Sequence, residues 1–384
     1  MPDADLLAEI TDLRRRIHRN PELGNKEYAT TQAVSEVLTA HGVPHTIREA
    51  QTGLVAEFGG DGPVVGYRAD LDALPITEAT GLPFSSARPG LMHACGHDAH
   101  TAIAVGIAAS LVGEDLPGRV RILFQPAEEI FPGGAEALIA EGRADGLDAI
   151  MALHADPSLR AGQVGIKAGP ITSSSDRFTV VLSGPGGHTA RPHETADTLL
   201  AAGKLLSELE ALFSRRVDAR VRRAVAFGSV HGGEASNVIP SSVRLSGTVR
   251  VADHEAWREM GAIFTDLVGQ IVAPVGVRAT VDYEPGIAPV DNDELVVQMI
   301  EDAARTVVGD QRVHTTFTSM GAEDFSAFTQ VVPGALLRLG CSDGGAFTPL
   351  HSAGFVFEEP ALGVGIDIGA ESLRRLLAHA NSKP

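Results

Sequence analysis

Residues 91–100 read LMHACGHDAH, a run that holds three histidines, an aspartate and one of only two cysteines in the chain. Cys95 and His97 stand two apart around Gly96. In extended backbone the side chains of i and i+2 share a face, and glycine permits a tight turn. A thiolate and an imidazole so placed can meet one divalent ion. Glu128 and Glu129, in FQPAEE, follow an apolar strand-like run directly. In an open α/β sheet that end of a strand is where ligands bind. Neighbouring carboxylates point in different directions, so one can hold a cation while the other reaches a water. Two carboxylates against a buried strand are costly without a cation close by. His154 closes the apolar run IMALH, and His351 sits in TPLHSAGF after the strand-like GALLRLG. Asp70 and Asp72, in YRADLDALP, mark another strand end, as ligands or as acceptors that orient a ligand histidine. The pattern predicts that Cys95, His97, Glu129 and His154 fall where strands give way to loops, with His351 after a further strand. Such positions share one edge of a sheet.

Two other chemistries use some of these residues. Cys95 could be a nucleophile with His97 or His100 as its base, which leaves the carboxylate pair and two remote histidines without a task. A non-catalytic binding or carrier protein would need neither carboxylate.

The elements that must position these groups follow from periodicity. Apolar spacing predicts helices over 5–18 and 26–41, the second ending at Gly42. Strands are expected at 54–58, 63–70, 118–125 and 147–154, with helices over 101–112 and 133–142. Continuous apolar strands alternating with helices argue for a mostly parallel sheet covered on both faces. The pattern then changes. Residues 172–184 alternate apolar and polar, followed by a helix (194–213), strands (223–233 and 241–251), a second helix (253–272) and a strand (277–284). That order is the split βαβ pattern of a ferredoxin-like unit. The expected domains are therefore a catalytic α/β domain over 1–172 and 286–384, with an α+β domain inserted over 173–285.

The chain has 384 residues, 44% hydrophobic and 21% charged, with a net charge of −18. That field disfavours nucleic acid and anionic membrane as partners. The charged N-terminus lacks the pattern of a signal peptide, and no apolar run reaches membrane-spanning length. Two cysteines, Cys95 and Cys341, are too few for a disulfide framework. A reducing cytoplasm is the expected compartment, with Cys341 a buried structural thiol.

LMHACGHDAHT, ILFQPAEE, GGHTARPHE, SNVIP, GTVR, GAEDFS and LHSAGF occur in the order found in the aminoacylase and carboxypeptidase family of dinuclear metallopeptidases. The chain resembles most closely the amidohydrolase branch, which includes hippurate hydrolases and indole-acetyl-amino-acid hydrolases, and the resemblance spans nearly its whole length. It implies a ligand set of Cys95, His97, Glu129, His154 and His351 around two divalent ions (zinc, manganese, nickel or cobalt), with Glu128 as general base. It implies that the inserted domain serves as lid and dimerisation surface, in a homodimer or higher homo-oligomer. His188, in GGH, would reach the partner subunit's active site and polarise the scissile carbonyl. Asn237 and Arg250 match positions implicated in substrate binding, and Asp72 would support a ligand from behind. The activity implied is cleavage of N-acyl amino acids, with a carboxypeptidase or dipeptidase of the same family as the alternative. Leu91, the absence of an aromatic two residues after His154 and the absence of a proline in ETADTL depart from common patterns of the branch. They bear on acyl preference rather than on the chemistry.

Overall fold

The computed structural model describes residues 2–382. The chain divides into two compact units, one made of residues 1–169, 291–317 and 324–384, the other of 170–290 and 318–323.

The first unit begins with helices α1 (Ala4–Arg19) and α2 (Tyr28–Ala40). Asp3 caps α1 by accepting from the Leu6 amide at 2.7 Å, which satisfies one of the open donors of a helix start. Strands β1 (His45–Ile47), β2 (Leu54–Gly59) and β3 (Val64–Asp70) follow, then helix α3 (His97–Leu111), strand β4 (Arg119–Gln125), helix α4 (Gly134–Ala140) and strands β5 (Leu147–Arg160) and β6 (Val164–Ile166). With Val313–Thr315 and Gly334–Ser342 these strands form an eight-stranded sheet in the order β1, β2, β4, β3, β5, Gly334–Ser342, β6, Val313–Thr315. The central run from β4 to Gly334–Ser342 is parallel, and antiparallel pairs join β1, β2 and β4 on one side. Every residue of β3 is buried, as expected of a strand with helices on both faces. Helix α3 is apolar nearly all round and lies in the core with Ile103, Val105 and Ile107 fully covered.

Two elements differ from the expectation. Strand β5 does not stop at His154 but runs to Arg160, through Pro157. Pro157 is tolerated because pairing with Gly334–Ser342 shifts register between Gly340 and Ser342, opposite Asp156 and Arg160, and a bulge needs no amide there. Helix α3 starts at His97, four residues before the expected start. Its polar first turn hides a helical beginning because His97, Asp98 and His100 are buried within the protein rather than solvated.

One such pairing ties α1 to α3. Arg14 Nε donates to Asp98 Oδ2 at 2.9 Å, and His18 Nδ1 lies 2.9 Å from the same oxygen. His18 Nε2 lies 3.2 Å from Glu78 Oε1, so both ring nitrogens face carboxylates and the ring is read as an imidazolium. Burial opposes that charge, but Asp98 and Glu78 outweigh burial and Arg14, and raise His18 to about 9. The nearby His93 ring is pushed down to about 4, chiefly by burial, and stays neutral. The unfolded value of a histidine is about 6.5, so folding favours the protonated form; the stabilisation is complete below about pH 6.5 and is lost as pH rises through about 9. His18→Gln is expected to lower the unfolding free energy by up to about 3 kcal/mol at pH 6 and by far less at pH 10. Urea unfolding at the two pH values checks this, and equal losses would show that the imidazolium contributes nothing.

The second unit is an antiparallel four-stranded sheet ordered Arg223–His231, Ser242–Val251, Ser175–Ser183, Arg278–Ile287. Its helices, Thr198–Phe213 and His254–Val272, pack on one face over a separate core that includes Phe178, Phe213 and Phe264. A two-stranded ribbon, Gly187–His188 with Val238–Ile239, is added to it. Among the described residues no helix is long and apolar enough to cross a membrane.

Candidate metal centre

Gly96 holds φ at 88° and caps α3. Left-handed backbone there turns the chain straight from Cys95 into the helix, a conformation that glycine adopts without strain. Cys95 and His97 are therefore not two residues of one extended segment; the turn, rather than the pleat, brings them together. His97 and His100 share the first turn of α3 and have different partners. His100 Nδ1 lies 2.7 Å from Asp70 Oδ1, and its Nε2 accepts from the Ala155 amide at 2.9 Å. Both nitrogens are thus committed, which leaves His100 unable to serve as a base for Cys95. His97 Nδ1 donates to the Asp72 carbonyl at 2.9 Å, and its buried Nε2 makes no hydrogen bond among the described residues.

The loop after β4 presents Glu128 and Glu129. Ala127 has φ of 57°, a left-handed conformation that a non-glycine residue holds only when its surroundings impose it. The Glu128 amide donates to Asp72 Oδ1 and the Glu129 amide to Asp72 Oδ2, each at 3.0 Å. One buried carboxylate, at the end of β3, thus fixes the backbone of both glutamates. Behind it, Arg68 pairs with Asp70 at 2.7 Å and Asp324 at 2.6 Å, and Asp324 accepts from Gln125 and from the Ala135 amide. These bonds hold the two ends of the same loop.

His154 lies within β5, where Nδ1 donates to the Ala155 carbonyl at 2.9 Å and Nε2 faces Cys95 Sγ at 3.5 Å. His351 has φ of 59°, and its amide donates to the Ala94 carbonyl at 2.8 Å. Its Nε2 lies 3.3 Å from Cys95 Sγ and 3.1 Å from Glu129 Oε1. His97 Nε2 is 3.9 Å from Glu129 Oε1 and 4.0 Å from Glu128 Oε2. All five candidate ligands therefore converge. They fall into two overlapping groups, Cys95 with His97 and His154, and Cys95 with Glu129 and His351, which share the thiol.

The donor set fits two divalent cations. In His97 and His154 a backbone carbonyl takes the Nδ1 proton, leaving Nε2 as a lone-pair donor, which is how ligand histidines are usually oriented. Burial, the largest cause, pushes His154 well below its usual value, so it is neutral. Burial also opposes protonation of His97, yet Asp70, Asp72 and Glu129 outweigh it and raise that ring to about 10. So anionic a surrounding calls for positive charge at Nε2. His351 is half-exposed and Glu129 is 12% exposed, whereas Cys95, His97, Asp72 and Glu128 are buried. Solvent thus approaches from the His351 side.

The remaining expected residues lie in the second unit. His188 pairs with Val238 in the ribbon, and the Thr189 amide donates to the Asn237 carbonyl at 3.2 Å, so His188 and Asn237 are neighbours. Both are exposed. His188 Nδ1 accepts from the Ala190 amide at 3.1 Å, which places the ring proton on Nε2. Arg250 lies in Ser242–Val251 and donates from Nη1 to the Met320 carbonyl at 3.0 Å. Cys341 is fully buried, and burial, then Asp156, push its thiol far up, as suits a structural cysteine. The sequence reading missed the Arg68–Asp324 clamp, because a pair 256 positions apart leaves no local pattern.

Residues 66–375 match the sequence profile of peptidase family M20/M25/M40. Over 360 residues the chain is 42% identical to a Rhodococcus jostii protein named putative glutamate–cysteine ligase 2-3; the match covers 93% of this chain and 45% of that protein, so the chain spans less than half of it. It is 37% identical over 374 residues to N-acetyl-L-cysteine deacetylase of Bacillus subtilis, covering 96% of this chain and 88% of that one. A crystal structure of a dinuclear metal-binding peptidase of the M20 family from Bacillus subtilis matches with a TM-score of 0.87 at 33% identity, over 98% of this chain and 99% of that one.

Proposed function

Because this chain belongs to peptidase family M20/M25/M40 and is a hydrolase of amide bonds, we propose that it cleaves N-acyl amino acids to a carboxylic acid and a free amino acid. The observation that carries this is the convergence at Cys95: His154 Nε2 at 3.5 Å, His351 Nε2 at 3.3 Å, and Glu129 reached through His351 at 3.1 Å. Cys95, His97, Glu129, His154 and His351 would hold two divalent ions; thiolate, imidazole and carboxylate together suit zinc, and also manganese, nickel or cobalt. Ions so held polarise a carbonyl and lower the pKa of water from 15.7 to about 7.

The chain's own side chains do the rest. Glu128 accepts the proton of the attacking water on its carboxylate and delivers it to the leaving nitrogen. The buried Asp72 keeps Glu128 aimed while that proton moves. His188, whose Nδ1 accepts from the Ala190 amide, donates from Nε2 to the developing oxyanion; a donor of this kind is typically worth about 10²–10³ in turnover. Arg250 and Asn237 recognise the free carboxylate of the amino-acid half, for which a guanidinium fork is well shaped. In this reading residues 1–172 and 286–384 form the catalytic domain. Residues 173–285 form a lid through which two copies pair, so that each His188 serves its partner's site. The enzyme acts in the cytoplasm, where Cys95 stays reduced.

The test is chelation, then reconstitution with single metals and a substrate panel. Metal analysis is expected to give two ions per chain, and chelation to abolish hydrolysis. Acetyl-, benzoyl- and indoleacetyl-amino acids should be cleaved faster than dipeptides. Activity that persists in metal-free protein defeats the proposal, and preferential cleavage of dipeptides moves it to the dipeptidase alternative.

A further inference from the structure

The catalytic loop has a second grip that the chemistry above does not use. Glu27 precedes helix α2 and is fully buried. Its Oε1 accepts from the Ala127 amide at 2.8 Å and from the Asn25 amide at 3.0 Å. Its Oε2 accepts no hydrogen bond among the described residues. The Glu27 backbone is itself anchored, since its carbonyl accepts from the Thr31 amide at 2.9 Å and from the Thr31 hydroxyl at 2.6 Å. The same segment lies against the loop a second time. A Cβ on Gly24 would stand 3.2 Å from Ala127 Cα and 3.1 Å from the Ile130 side chain, so a larger residue there would push the loop back by a few tenths of an ångström.

Three successive amides, those of residues 127, 128 and 129, are thus held by two buried carboxylates from different parts of the chain. Asp72 takes the latter two. The Ala127 amide is the one that belongs to the left-handed residue. That backbone state is unfavourable for alanine, and the peptide it fixes leads directly into Glu128. We propose that Glu27 is a positioning residue: by holding the Ala127 amide it keeps Ala127 left-handed and so aims the Glu128 carboxylate. The role needs an acceptor at Oε1 and not a charge. Burial, helped by Asp72, pushes Glu27 up to about 7, and a proton on Oε2 would leave Oε1 accepting as before. The proposal rests on Glu128 being the general base.

The test compares holoenzymes carrying Glu27→Ala, Glu27→Gln and Glu27→Asp. Alanine is expected to lower kcat by about 10–100-fold, the usual effect of losing an outer support, with KM changed less than threefold. Glutamine keeps the acceptor and should retain kcat within threefold. Aspartate, one methylene short, should behave like alanine. Hydrogen exchange of the 127–129 amides in metal-free protein is the readout independent of turnover, and it should quicken at least tenfold in Glu27→Ala. Adding Ala127→Gly to Glu27→Ala should recover most of the lost kcat, because glycine takes this φ without help.

Glu27→Ala with turnover within threefold of the parent and unchanged exchange would overturn the proposal. So would glutamine as impaired as alanine, or no recovery from Ala127→Gly. If Glu27→Ala fails to fold, the glutamine and aspartate variants decide: glutamine active and aspartate impaired supports the role, and equal activity of the two refutes it. Should Glu128→Gln keep full turnover, the base assignment fails instead, and the exchange measurement separates the two failures.

Discussion

Glu128→Gln is expected to reduce kcat by about 10²–10⁴-fold, the span associated with a positioned acid–base group, while metal content and KM stay near those of the parent. The substitution is nearly isosteric. It leaves the 3.0 Å bond from the residue 128 amide to Asp72 in place, because that bond uses backbone. It removes only the ability to take a proton and hand it on. The five candidate ligands are untouched, since Glu128 is the neighbour of Glu129 and not a member of the two thiol-sharing groups. Steady-state kinetics alongside metal analysis checks the prediction. Turnover within tenfold of the parent would place the base elsewhere. Loss of metal together with turnover would make Glu128 a ligand.

Asp72→Asn is expected to have a comparable effect by another route. Asp72 accepts from two amides at once and lies 3.4 Å from His97 Nδ1 through Oδ1. An amide side chain has one acceptor oxygen, so its NH₂ must face one of those N–H groups. That opposition is buried, where an unmatched polar pair is most costly. The backbone of either Glu128 or Glu129 then moves, and His97 loses part of its orientation. Outer-sphere partners of this kind typically alter metal affinity or activity by about 10–100-fold. Because ligand and base are disturbed together, both quantities should fall in Asp72→Asn, in contrast with Glu128→Gln. Titration of metal-free protein with a single divalent ion, followed by kinetics at saturating metal, separates them. Normal affinity with normal kcat would show that the two amide bonds do not position the loop.

Much of this site was legible in the sequence because its residues sit at changes of pattern. Glu128 and Glu129 follow the apolar FQPA, and the structure puts them in the loop after β4. The shift from continuous to alternating hydrophobicity near residue 172 reflects the passage from a sheet covered on both faces to one with an exposed face. What was not legible depends on contacts between distant residues. His154 marks a strand end in the sequence because the apolar run IMALH closes there, but pairing with Gly334–Ser342 carries β5 past it. The start of α3 is obscured in the sequence because His97, Asp98 and His100 interrupt the apolar pattern, while Arg14 and Asp70, which pair with Asp98 and His100, lie far off in the chain. Glu27 had no local signal at all, since its partner lies 100 residues away.

The order of the converging residues along the chain bears on how the protein is made. Cys95, His97, Glu129 and His154 all precede the antiparallel unit, and His351 follows it. During synthesis the ribosome therefore releases an entire second folding unit before the last donor emerges. A chain halted anywhere in that interval carries a thiol, two imidazoles and a carboxylate of the candidate set, but not His351. The centre therefore gains its fifth donor only near the end of the chain.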